Sequence, residues 1–99
     1  MKRIERLNIA ADHPAYPDHF PGAPILPGVV LLDAILHTLE TSLRIDAATW
    51  RISAAKFHAV VRPGDPLQIE YEVMPGDSIR FSILNADRAV ATGTLTHAP

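Results

Sequence analysis

The stretch from Gly28 to Leu43, GVVLLDAILHTLETSL, constrains the fold more than any other part of the chain. Its first half places Val29, Val30, Leu31, Leu32, Ile35 and Leu36 on nearly every face of a helix. A helix apolar all round is surrounded by other structure rather than docked along one stripe. Pro27 and Gly28 open it, since proline is tolerated in a first turn whose N–H groups have no intrahelical acceptor. The spacing therefore predicts one buried helix over residues 28–43, its apolar run interrupted by a carboxylate, Asp33.

What surrounds such a helix is set by the change of period that follows. Trp50, Ile52 and Ala54 alternate with other residues, and Ala55, Phe57, Ala59 and Val61 continue after a shift of phase that predicts a bulge. Leu67, Ile69, Tyr71 and Val73 alternate with Gln68, Glu70 and Glu72, and Ile79, Phe81 and Ile83 with their polar neighbours, as half-buried strands do. Pro63-Gly64-Asp65, Pro75-Gly76-Asp77 and Asn85 to Arg88 supply turn chemistry. Ala89 to His97 reads as a last strand and Arg3 to Ala10 as a first. The order is strand, loop, buried helix, then four strands joined by short turns. It predicts an α+β domain in which an antiparallel sheet wraps around one central helix.

A chain of 99 residues, 47% of them apolar, fits one domain over residues 1–99. Small domains bury a reduced share of their surface, and with no cysteine the missing stability points to a partner subunit. The formal charge of −2 arises from interspersed acids and bases, which leaves no footprint for nucleic acid or an anionic membrane. The opening MKRIERLNIAAD has no apolar core of a signal peptide, and no later stretch is long enough to span a bilayer, so a cytoplasmic protein is expected. The chain has no G-x-S-x-G elbow, P-loop, G-x-G-x-x-G or H-E-x-x-H, and its 5 histidines show no metal spacing. Neither cofactor nor metal is expected.

Two residues remain as candidates for chemistry. His19 lies in a stiff, irregular loop from Asp12 to Gly28 that holds Pro14, Pro17, Pro21, Pro24 and Pro27. Asp33 lies within the helix. Spacing alone favours plainer roles: Asp33, His37, Glu40 and Arg44 form one solvated stripe, and a loop histidine is ordinarily a surface or capping residue.

The segment read as a whole changes that balance. His19-Phe20-Pro21-Gly22-Ala23-Pro24-Ile25-Leu26-Pro27-Gly28, leading into the helix with Asp33 at a fixed offset, resembles the active-site motif of the FabA/FabZ-type 3-hydroxyacyl-ACP dehydratases. The likeness continues through Ala55-Lys56-Phe57 and Val60-Val61-Arg62-Pro63-Gly64-Asp65-Pro66-Leu67 to Glu70. It implies the hot-dog fold, a homodimer forming a double hot-dog or a heterodimer with a related subunit, and an acyl carrier protein as partner. It further implies that His19 is the base, Asp33 the acid and the Gly28 N–H an oxyanion donor, with Phe20, Pro27 and Val29 lining the substrate, and that histidine and acid of one site come from different subunits. An equally simple role for Gly28 is to ease the loop-to-helix junction. Aspartate as the acid is the FabA choice, and short Asp-bearing chains resemble the ApeI-like dehydratases of aryl polyene pathways.

His37 stands where the family usually has glutamine, either as a second polar group beside the acid or as part of the solvated stripe. The chemistry implied is loss of water from a 3-hydroxyacyl thioester to give the trans-2-enoyl product in fatty-acid, aryl polyene or related synthesis. A hot-dog thioesterase and a non-catalytic subunit that binds acyl carrier protein are the alternatives.

Overall fold

Alternation decides which strands form and which face they bury. The structure, a computed structural model, describes residues 2–9, 25–45 and 49–98. Strand β1 (Lys2–Leu7) and helix α1 (Gly28–Leu43) are followed by β2 (Thr49–Phe57), β3 (Leu67–Met74), β4 (Ser78–Asn85) and β5 (Arg88–Ala98). In β3, Leu67, Ile69 and Tyr71 are buried, and in β4, Ile79, Phe81 and Ile83 are buried. Their register sets Ile69 opposite Ile83 and Tyr71 opposite Phe81, so the apolar phases share one face.

The sheet is antiparallel throughout, in the order β1-β3-β4-β5-β2. One row across it runs Phe57, Ala91, Ile83, Ile69, Glu5. The helix follows this row: its first residue, Gly28, meets Phe57 on β2, and Ser42 near its end hydrogen-bonds Glu5 on β1. The lengths agree, since α1 rises about 21 Å between those residues and four strand spacings cover about 19 Å. Leu31, Ile35 and Leu39, spaced by four, form the face that α1 buries against the sheet. Each such side chain contributes about 1.5–3 kcal/mol through burial. The helix stops at Arg44, which takes a left-handed conformation (φ 54°, ψ 45°) and returns its N–H to the Glu40 carbonyl.

The expected bulge is present, and its position explains the phase shift. Ile52 pairs with Leu95 and Ala54 with Thr94, which leaves Ser53 as the extra residue. Ile52 before it and Ala55 and Phe57 after it therefore share the face of their partners Leu95, Gly93 and Ala91. Gly93 is required here, because a Cβ would lie 2.4 Å from the Ala54 carbonyl oxygen and 2.8 Å from the Phe81 ring.

Three expectations need correction. Among the described residues the helix is docked on the sheet rather than surrounded: Leu31, Ile35 and Leu39 are buried, but Val29 is 73% exposed. Pro27 is the extended residue before the helix (φ −61°, ψ 144°) rather than part of its first turn. The link from β2 to β3 is not a short turn, since those strands are not neighbours and residues 58–66 must cross the sheet. That crossover is held by His58 N–H to the Val90 carbonyl (2.7 Å) and Leu26 N–H to the Val61 carbonyl (2.8 Å). Among the described residues no helix is long and apolar enough to cross a membrane.

Candidate active site

The helix N-terminus is the natural place for a developing negative charge, because its first N–H groups have no acceptor within the helix. The Pro27 carbonyl accepts the N–H groups of Val30 (3.0 Å) and Leu31 (3.2 Å). The N–H groups of Gly28 and Val29 precede the first helical acceptor and have none within the helix. They sit at the positive end of the helix dipole. Pro27, Gly28 and Val29 are thus brought together in one turn, tied to the crossover by the Leu26–Val61 hydrogen bond.

Asp33 lies about 7.5 Å further along the axis. Its side chain is exposed, as is that of His37 one turn later, and the two share a face with Val29. This face is opposite the Leu31–Ile35–Leu39 stripe. The apolar surroundings expected for Asp33 are therefore not supplied by the described residues of its own chain. His19 and Phe20 lie outside the described residues. A cavity of about 490 Å³ at the end of β1 has Leu7, Ile9, Asp65 and Gln68 in its lining, but none of Pro27, Gly28, Val29 or Asp33. Among the described residues no group of three or more His, Cys, Asp or Glu side chains could hold a metal.

The structure adds a neighbour to Gly28. A Cβ there would lie 3.1 Å from Phe57 Cζ and 3.3 Å from both Cε atoms. Phe57 is 50% exposed, so one part of its ring packs on the helix and the rest stays open. The K-F pair of the family likeness was the signal for it in the sequence, where the residue otherwise reads as one more alternating strand position.

A second cluster was not foreseen. The Glu5 carboxylate accepts hydrogen bonds from Ser42 Oγ (2.5 Å) and from the Tyr71 hydroxyl. The Ser42 bond most of all, then the Tyr71 bond, holds the Glu5 carboxyl below the usual carboxylate range, against the opposing effect of burial. Burial pushes the Tyr71 hydroxyl up, and its bond to Glu5 adds to the rise. The cluster ties β1, β3 and the C-terminal half of α1 at the end of the helix remote from Gly28. The signal was Tyr71 itself, because a buried tyrosine needs a partner for its hydroxyl.

The ApeI-like family, described as ApeI dehydratase, matches residues 2–94. The 3-hydroxyacyl-[acyl-carrier-protein] dehydratase FabZ of Latilactobacillus sakei is 39% identical over 68% of this chain and 53% of its own length. That of Ligilactobacillus salivarius is 32% identical over 92% of this chain and 67% of its own. The chain thus spans between about half and two thirds of the length of these relatives. Among solved structures, the dehydratase heterocomplex ApeI:P from Xenorhabdus doucetiae superposes with a TM-score of 0.79 at 22% identity, covering 99% of this chain and 88% of that one. The shared architecture, a five-stranded antiparallel sheet with one helix laid across it, is the hot-dog fold. Since the family match runs over nearly its whole length, the chain belongs to the ApeI-like dehydratase family.

Proposed function

We propose that this chain, as one domain, dehydrates a 3-hydroxyacyl thioester carried by acyl carrier protein, giving the trans-2-enoyl thioester in the cytoplasm. The observation that carries the reading is the exposed face of α1, where the N–H groups of Gly28 and Val29, which have no acceptor within the helix, and the Asp33 carboxyl lie within two turns of one another. In the mechanism His19 takes the C2 proton, since an imidazole titrates near neutral pH, where a general base works best. The electron pair moves through the enolate whose oxygen is held by the Gly28 N–H, at the dipole's positive end. The C2=C3 bond forms as the C3–O bond breaks, and Asp33 gives its proton to the departing hydroxyl, which leaves as water. Return of the proton from His19 to Asp33 through solvent restores the site.

His19 and Asp33 of one site come from two subunits in this reading. Two features support such a pairing. The face of α1 that the described residues leave uncovered needs a second body to exclude water, and β2 forms a sheet edge with Ile52 and Phe57 exposed. A second copy of the chain or a related hot-dog subunit would meet both needs. The test is mass spectrometry of products from the purified protein given carrier-bound 3-hydroxyacyl substrates. Loss of water with the thioester intact, abolished in His19→Ala and Asp33→Asn, is the expected result. Release of free acid would mean a thioesterase. Failure of both substitutions to alter pathway output in cells would mean a non-catalytic subunit.

A further inference from the structure

Phe57 stands beside the proposed oxyanion donor without a part in the chemistry. The near-equal distances from the Gly28 Cβ position to Cζ and both Cε atoms put the face of the distal ring against the glycine. An approach along the ring's edge would leave the two Cε atoms well beyond Cζ. A helical N–H points along the axis while Cβ points outward, so the Phe57 ring flanks the Gly28 N–H rather than lying over it. The strand partner of Phe57 is Ala91, a small buried residue, and the next residue in the row is the buried Ile83. The ring thus stands at the outer end of an apolar row.

We propose that Phe57 is a specificity-determining residue: its half-exposed ring is the wall that sets the width available to the acyl group next to the thioester carbonyl at Gly28. The inference rests on the dehydratase reading above and adds which part of the substrate this chain measures. A carbonyl oxygen bound by the Gly28 N–H places the adjoining acyl carbons within a few ångströms of the ring. An apolar face continued by Ala91 and Ile83 suits hydrocarbon rather than the amide-bearing pantetheine arm. An aromatic wall held on one side by the helix backbone yields less than a free side chain. Bulk at C4 of the acyl group is then what it would reject.

The test compares kcat/KM of wild type, Phe57→Ala, Phe57→Leu and Phe57→Trp for 3-hydroxyacyl pantetheine thioesters that are unbranched or methyl-branched at C4. Phe57→Ala is expected to raise the branched-to-unbranched ratio about tenfold, the worth of a methyl-sized fit in an apolar pocket. Most of the change should appear in KM for the branched substrate. Phe57→Leu should give a smaller rise and Phe57→Trp a fall, and Leu serves if Ala impairs folding. An unchanged ratio in variants that still turn over would overturn the assignment and leave the dehydratase reading standing. The same holds if KM rises equally for every acyl group, because the ring would then serve the common arm. Absence of turnover by wild type on any hydroxyacyl thioester would overturn both.

Discussion

The two faces of α1 are built from different residues and do different things. One carries Leu31, Ile35 and Leu39 and is buried along the row that joins β2 to β1. The other carries Val29, Asp33 and His37 and is exposed, although Val29 is as apolar as its buried neighbours. On the first face, composition and burial agree, as in any amphipathic helix. On the second, an apolar side chain and a carboxylate stand together without cover from the described residues. Stability is thus concentrated on one side of the helix and the proposed chemistry on the other, so the two are separable by substitution.

The largest effect expected is on the open face. Asp33→Asn removes a proton donor but no packing, so turnover should fall by about 10²–10⁴-fold, the range for general acid–base groups, while the thermal midpoint hardly moves. A midpoint that drops as it does for a core substitution would break the contrast. On the buried face, Ile35→Ala should lower the free energy of unfolding in urea by about 2–5 kcal/mol. Residual turnover per folded molecule should stay within a few-fold of wild type.

Next in size is the Glu5 cluster, which anchors the far end of the buried face. Because the folded protein holds Glu5 below its ordinary titration range, the associated stability is present above that range and is lost as pH falls through the lowered value. Glu5→Gln should flatten this acid limb and cost about 1 kcal/mol near neutrality, read from urea midpoints across pH. The smallest effect is expected at His37, whose exposed side chain follows Asp33 by one turn. His37→Gln should change stability by no more than about 0.5 kcal/mol. A change in turnover larger than that for Phe57→Leu would move His37 from the solvated stripe into the site.

Much of the fold was legible because period-2 and helical spacing are local properties. The helix bounds and the strands fell close to the expected positions, and the bulge in β2 showed itself as a change of phase read between Ala54 and Ala55, with the extra residue found at Ser53. The inward side of β1 was not legible. Ile4 is 59% exposed while Glu5 lies in the row with Ile69, an arrangement that hydropathy alone would reverse. It holds because Ser42 and Tyr71, distant in sequence, satisfy the carboxylate.

The sequence by itself determined the elements and the family likeness, and that likeness named the candidate acid, base and oxyanion donor. Each of these depends on spacing along the chain or on a contiguous motif. Tertiary structure alone decided that β2 lies at the sheet edge beside β5, that the helix crosses from β2 to β1, and that Phe57 rather than open space adjoins Gly28. Strand order and helix crossing are settled by which distant surfaces bury one another best, and that is a property of no single segment. For Asp33 the sequence named the residue, and the fold put it on the face that its own sheet leaves open.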